Sequence, residues 1–501
     1  MRSKNASKNI AWGFVYESVQ LISMFILPRM ILDTFGSDFN GLVEAITQFL
    51  RVIVLFQAGI SAVTMAALYS PLERNDTHQI SVVIKSSQSF LKKVVLVFVI
   101  FSICLAIGYP LLVKDEFDFI YTASLVLIMC LSTVVQFFFG QVYQFLFTAD
   151  QNHRLISMVN SAKVLVSTVI SVILIQSGFG MRAVKLGAAI VFVIAPLFIY
   201  LYAQRKYKLQ KSVEVDLAVI DQRWAHFGAQ FASFVSMNSG LIILSAFVNL
   251  YEISVFAIYN LVMSGIFGFF LPLTRGIDAA FGNMIAKNEH SLLKKNLRVY
   301  EQIVFGATAF LFSITAVMTL PFVMLYTQNV FDVEYYRPAL MAVIVAATAF
   351  RCLYFPYMSV TNAAGHFRPL RKYAFLEATL TIAISIAMIQ WIGITGAAVG
   401  MLFSYSFRTG YYAVYGSKVI VNRSVWVFAK RLFVTMACVA TIIALSSLLP
   451  LPTELSFLQW AMNALVLSVM ALAVVGLFEY LFFKDDLHET IAMACRLVRK
   501  S

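Results

Sequence analysis

Residues 41–69 read GLVEAITQFLRVIVLFQAGISAVTMAALY, an apolar run whose only charges are Glu44 and Arg51. A helix needs about 20 apolar residues to cross a bilayer, so this run is long enough to span. Its polar residues are not scattered. Asn40, Glu44, Gln48 and Arg51 fall at i, i+4, i+8 and i+11 and share one helical face. Polar groups at that depth need water or a partner. The face is therefore either the wall of a wet cavity or a polar seam between helices with an internal Glu44–Arg51 contact.

Similar runs recur along all 501 residues. The chain is 60% hydrophobic, 14% aromatic and only 13% charged, about half the charge content of a soluble domain. The runs are continuous and do not alternate, which excludes a β-barrel. The expectation is an all-α polytopic membrane protein with fourteen spans, the first at 10–32 and the last at 456–483. The first run is too long for a signal-peptide core and reads as a spanning helix. Of the 38 Lys and Arg, 28 fall in alternate connections and tails, four in the other connections and six inside spans, counting span-edge residues with the loop they adjoin. That asymmetry places both termini in the cytoplasm. Arg182 and Lys185 dissent from it, both in one short outer loop. The net charge of +13 then reports cytoplasmic loops and anionic lipid, not nucleic acid. Segment 80–91 has an apolar face at helical spacing and is expected to lie along the membrane surface before the third span.

The halves repeat. A shift of 217 aligns Leu27, Ser37, Phe39, Gly59, Ile60 and Ala62 with Leu244, Ser254, Phe256, Gly276, Ile277 and Ala279. A shift of 214 aligns Ala149, Arg154, Ile170 and Ser171 with Ala363, Arg368, Ile384 and Ser385. Six helices separate the copies, an even number, so the repeat is parallel. The expected architecture is a six-helix lobe over 1–203, a basic cytoplasmic linker over 204–224, a second six-helix lobe over 225–415, and two further helices with a tail over 416–501.

Several stretches carry a family resemblance: Asn5…Asn9, Ile26-Leu27-Pro28-Arg29, Phe35-Gly36-Ser37-Asp38-Phe39-Asn40-Gly41-Leu42, Gln48-Phe49-Leu50…Gly59-Ile60 and Phe147-Thr148-Ala149-Asp150-Gln151-Asn152. Together they resemble bacterial polysaccharide biosynthesis proteins, the lipid-linked oligosaccharide flippases of the multidrug/oligosaccharidyl-lipid/polysaccharide exporter superfamily. The resemblance covers the twelve-helix core. It implies a bacterial cytoplasmic membrane protein that moves a polyprenyl-pyrophosphate-linked oligosaccharide outward by alternating access. It further implies a central cavity whose basic residues on the second and eighth spans hold the pyrophosphate, and a groove for the lipid tail on the last two helices. Other glycan assembly proteins are candidate partners.

Six basic residues lie inside spans: Arg29, Arg51, Lys163, Arg275, Arg351 and Arg408. Such charges face a wet cavity, pair with an opposite charge or bind a ligand. Arg51 and Arg275 lie on repeat-related spans and are the first candidates for an anionic head group, because a guanidinium stays charged and binds phosphate oxygens bidentately. Arg351 and Arg408 are further candidates, set against ion pairing or snorkelling to a helix end. Asn40, Glu44 and Gln48 complete the candidate lining. Arg29, after Pro28, reads as an interfacial anchor. Lys163 and Glu377 occupy equivalent repeat positions, as an ion-pair latch or as residues each satisfied within its own lobe. Glu17 with Gln20 is a candidate protonation or cation site, or a structural hydrogen bond.

No catalytic motif, phosphate-binding glycine loop or metal-ligand cluster occurs. The five cysteines have no metal-ligand spacing and read as small buried hydrophobes. No enzyme activity and no cofactor are expected; a proton or sodium gradient is the candidate energy source. A multidrug exporter of organic cations would need an acidic, aromatic cavity. A polymerase or ligase would need a large outer loop, and all the outer loops here are short. A glycan-assembly scaffold would need none of the intramembrane charges.

Overall fold

The computed structural model describes residues 2–500 except 114, 151, 211, 221–242, 245–246, 271–276 and 449–455. The described residues form helices and no strand. In chain order these are α1 (Arg2–Phe35), α2 (Ser37–Leu50), α3 (Ile53–Glu73), α4 (Thr77–Leu112), α5 (Phe119–Val135), a π-helical turn (Gln136–Gly140), α6 (Gln141–Ala149), α7 (His153–Gln176) and α8 (Met181–Tyr207). There follow α9 (Leu250–Gly268), α10 (Ile277–Ala286), α11 (His290–Tyr326), α12 (Pro338–Leu353), α13 (Phe355–Ala363), α14 (Phe367–Ile392), α15 (Ile394–Tyr415), a second π-helical turn (Gly416–Ile420), α16 (Trp426–Ser446), α17 (Phe457–Phe482) and α18 (Lys484–Lys500).

Among the described residues, eleven helices are long and apolar enough to cross a membrane. The three expected spans not among them are the second, the seventh and the twelfth. The second is split between α2 and α3. The seventh lies mostly outside the described residues. The twelfth is α15, a 22-residue helix diluted by Gly, Ser, Tyr and Arg408.

The split in the second span falls at Arg51-Val52, without a proline or glycine. The Val52 amide bonds the Phe49 carbonyl and the Val54 amide bonds the Arg51 carbonyl, so the α-helical ladder tightens for one turn. The same break recurs one repeat later. The Phe269 amide bonds the Ile266 carbonyl just past the end of α9, 217 residues beyond Val52 and Phe49.

The chain divides into two compact units, one of residues 1–234 with 249–254 and one of 235–248 with 255–501. In the first unit, Gly36 at φ 94° turns the chain sharply from α1 into α2, a conformation glycine adopts without a Cβ penalty. Gly41 lies so close to Leu250 that a Cβ would sit 1.9 Å from its carbonyl oxygen. Beside it, the Asn40 side-chain amide donates to the Ser254 hydroxyl at 2.8 Å. The first turn of α9 is thus sealed against the start of α2.

The expected surface segment at 80–91 is instead part of α4, a continuous 36-residue helix capped by Asp76. Its apolar face is covered: Ile80, Val83, Ile84 and Leu91 are buried. The linker runs back along this face. Gln210 N–H donates to Ser81 Oγ, Asp216 N–H to Ser86 Oγ, and Lys85 Nζ to the Val213 carbonyl.

In the second unit, α16, α17 and α18 dock on α11 through a buried polar network. Arg423 and Arg431 both engage the fully buried Glu301 carboxylate. Arg431 also reaches Gln302 and Asp486, and Gln302 donates to Glu479. Two arginines against three carboxylates leave little uncompensated charge, which is the condition under which ions tolerate burial.

Candidate functional site

The break at Arg51-Val52 opens a cavity of about 430 Å³ in the first unit. Arg51 is exposed into it, and Lys185 enters from the second turn of α8. Thr47, Gln57, Ser132, Thr133 and Gln136 supply hydroxyl and amide groups, and Phe137 and Phe192 the apolar wall. The π-helical turn beginning at Gln136 aims two of these residues inward; such turns recur at functional sites because they rotate side chains off the regular helical spacing. Among the described residues, two cations and no carboxylate line the cavity. Lys163 stands just behind, its ammonium 4.7 Å from the centroid of Phe192.

The polar stripe on α2 divides its labour. Asn40 is spent on Ser254. Gln48, 1% exposed, donates to the Glu44 carboxylate. Glu44 acts electrostatically on Lys185. The internal Glu44–Arg51 contact is not formed among the described ion pairs; Arg51 lies beyond the break and faces the cavity.

The other intramembrane cations sort by their surroundings. Arg29 pairs with Asp33 one turn on, at 3.7 Å. Arg275 lies outside the described residues. In the second unit, Arg351 stacks its guanidinium 3.8 Å from the centroid of Phe267 and 5.6 Å from that of Tyr405. Its Nε has no hydrogen-bond partner. Aromatic faces attract a cation but do not neutralise it, so Arg351 keeps a full positive charge to offer.

Arg408 is the opposite case. Its Nε donates to both Glu377 oxygens at 3.1 Å and its terminal nitrogen to Oε1 at 2.8 Å. Ser404 and Tyr411 donate to the same carboxylate. Glu377 is fully buried and Arg408 is 4% exposed. The expected cavity role for Arg408 is therefore corrected to a neutralised structural pair. The expected Lys163–Glu377 latch is corrected with it, since a carboxylate holding five hydrogen bonds within its own unit has no lone pair to spare. Glu17 lies on an exposed part of α1.

Lys185 was not among the expected site residues. It stood out in the sequence only as a basic residue on the wrong side of the charge count. Its neighbour Arg182 has an ordinary explanation, with its guanidinium 4.4 Å from the Tyr121 ring centroid and a bond to Ser124.

No family model matches the chain, and no curated protein matches it in sequence. Solved structures do match in fold. An inward closed structure of the lipid II flippase MurJ aligns at a TM-score of 0.71 with 12% identity, covering 95% of this chain and 99% of that one. An inward-facing multidrug resistance MATE transporter of the MOP superfamily aligns at 0.61 with 11% identity, covering 81% and 98%. A MOP superfamily transporter from Pyrococcus furiosus, described as having a binding pocket of reversed polarity, aligns at 0.55 with 11% identity, covering 84% and 97%. The fold is that of the multidrug/oligosaccharidyl-lipid/polysaccharide exporters. Identities this low speak for the fold, and the substrate has to be argued from the site.

Proposed function

We propose that this chain is a flippase that carries a polyprenyl-pyrophosphate-linked oligosaccharide across a bacterial cytoplasmic membrane, with both termini in the cytoplasm. The observation that carries the reading is the cavity beside the broken second span, lined by Arg51 and Lys185 with no carboxylate among the described lining residues. Two cations facing one cavity suit a diphosphate, which needs charge-assisted hydrogen bonds to leave water. An organic-cation exporter would need the opposite sign there. Within the second unit, Arg351 is a further cation without a carboxylate partner among the described residues, and Arg275 is the repeat-related candidate. Transport proceeds by alternating access, with the head group in the protein and the lipid tail in the bilayer. Direction comes from consumption of product outside or from a proton or sodium gradient, for which Glu17 is the candidate coupling residue.

The test is replacement of Arg51 and Arg275, singly and together, by Ala in cells. Lipid-linked oligosaccharide accumulating on the inner leaflet, at unchanged protein level, is expected. Normal surface glycan in the double variant would remove both arginines from the path.

A further inference from the structure

Lys163 lies in the middle of α7 and reaches into its seam with α8. The seam is tight: a Cβ on Gly187 would stand 2.7 Å from Leu174 Cδ1 and 3.1 Å from Ile170 Cγ2. Ile170 follows Lys163 by two helical turns, so the two share the face of α7 that meets α8. Across the seam the Lys163 ammonium sits 4.7 Å from the Phe192 ring centroid. It makes no hydrogen bond and no ion pair among the described residues. A cation withdrawn from bulk water without a counter-ion is costly. An aromatic face offsets only part of that cost.

The repeat sharpens the contrast. A shift of 214 carries Glu377 of the second unit onto Lys163. Glu377 is neutralised by Arg408 from the next helix. The same shift carries Arg408 onto Ile194. Aligning Gly396-Ala397-Ala398 with Gly187-Ala188-Ala189, a shift of 209, carries it onto Ile199 instead. Either way α8 offers Lys163 an apolar residue where α15 offers Glu377 a partner. The matching place in the first unit therefore holds no counter-charge for Lys163.

What does stand close is the cavity at the broken second span. Phe192 is part of its wall, and Lys185, two turns earlier on the same face of α8, is one of its lining cations. Lys163 is thus one side chain back from the space that Arg51 and Lys185 enter. Its flexible four-carbon stem lets the ammonium leave the ring by a change of rotamer alone. A diphosphate spreads its charge over two phosphoryl groups, with more oxygens than one guanidinium and one ammonium can satisfy. We infer that Lys163 is the third cation of the head-group site, drawn from the Phe192 ring onto a phosphate oxygen as the head group binds. The lipid part of this ligand rests on the flippase reading above; its phosphate part rests on Lys163 and its neighbours.

The experiment is a binding titration of the purified full-length protein with polyprenyl diphosphate and, separately, with inorganic pyrophosphate. Wild type is compared with Lys163→Met, which keeps an unbranched stem against Phe192, and with Lys163→Arg, which keeps the charge. Unfolding temperatures are measured alongside. Lys163→Met is expected to weaken both ligands roughly tenfold. Its unfolding temperature should not fall, because an uncompensated cation is exchanged for an apolar group. Lys163→Arg should recover part of the affinity. Wild-type affinity in Lys163→Met would overturn the assignment. So would a fall in its unfolding temperature alongside the loss of affinity, which would make Lys163 a packing residue. Pyrophosphate binding that depends on Lys163, with no binding of polyprenyl diphosphate, would uphold the third cation and overturn the flippase reading instead. Binding of neither ligand to wild type would overturn both.

Discussion

Arg408 and Glu377, 31 residues apart on adjacent helices, form a buried pair joined by three hydrogen bonds, while Arg351 in the same unit faces aromatic rings and no carboxylate among the described residues. The two arginines look alike in sequence, each a lone cation in an apolar run. Only the second has charge left for a ligand.

The pair should behave as structure. Glu377→Gln or Arg408→Met alone should cost about 3–5 kcal/mol, because each leaves the other charge buried and alone. Replacing both together with apolar side chains should recover most of that loss. Thermal unfolding of the three variants in detergent measures the coupling; additive losses would mean the two residues act independently.

Arg351 should behave as function. Its removal gives up cation–π contacts that contribute roughly 0.5–2 kcal/mol, so Arg351→Ala should remain folded while losing transport. Arg351→Lys keeps the charge but loses the planar stack, and should recover only part of the activity. Transport assays at matched protein level separate the variants, and full activity in Arg351→Ala would assign the residue to packing.

The seal between α2 and α9 should be sensitive to a single methyl group. Gly41→Ala drives a Cβ into the Leu250 carbonyl, and backbone cannot rotate away as a side chain can. Faster hydrogen exchange at residues 250–254 is expected. Unchanged protection would show that the helices separate without cost.

Acid should stabilise the first unit through Glu116, in the loop between α4 and α5. Its carboxyl is pushed up, chiefly by partial burial and further by Asp38 and Asp115, against a lowering from the Leu250 backbone N–H. A carboxyl whose pKa is raised in the folded state binds more protons there than in the unfolded chain. Its contribution to stability is thus present at pH below the usual carboxylate range and lost as pH rises through the raised value. Thermal unfolding in detergent should show a gain on mild acidification, and Glu116→Gln should flatten the dependence.

The class of the protein was legible because apolar runs of spanning length are local and independent of packing. The parallel repeat was legible too, and the structure adds a feature that residue matching missed, the shared break at Val52 and Phe269. The first break was invisible because neither proline nor glycine marks Arg51-Val52, whereas Gly268 stands beside the second. Ion pairing was harder to read. Glu377 has basic residues available at many sequence distances, and which one it meets depends on α14 lying beside α15. The α4 face at 80–91 looked like a membrane-surface stripe because the linker that covers it comes from more than 120 residues later. Lys185 was hidden by its place near a span edge, where a long basic side chain usually reaches for solvent.

The central claim is that Arg51 and Lys185 hold an anionic lipid head group. The most direct measurement is the affinity of purified protein for polyprenyl diphosphate, in wild type, Arg51→Gln, Lys185→Gln and the double variant. Each cation should contribute at least about tenfold, as hydrogen bonds to charged groups do, with the folded state unchanged. Wild-type affinity in the double variant would contradict the account and return the cavity to an unassigned gap beside a broken helix.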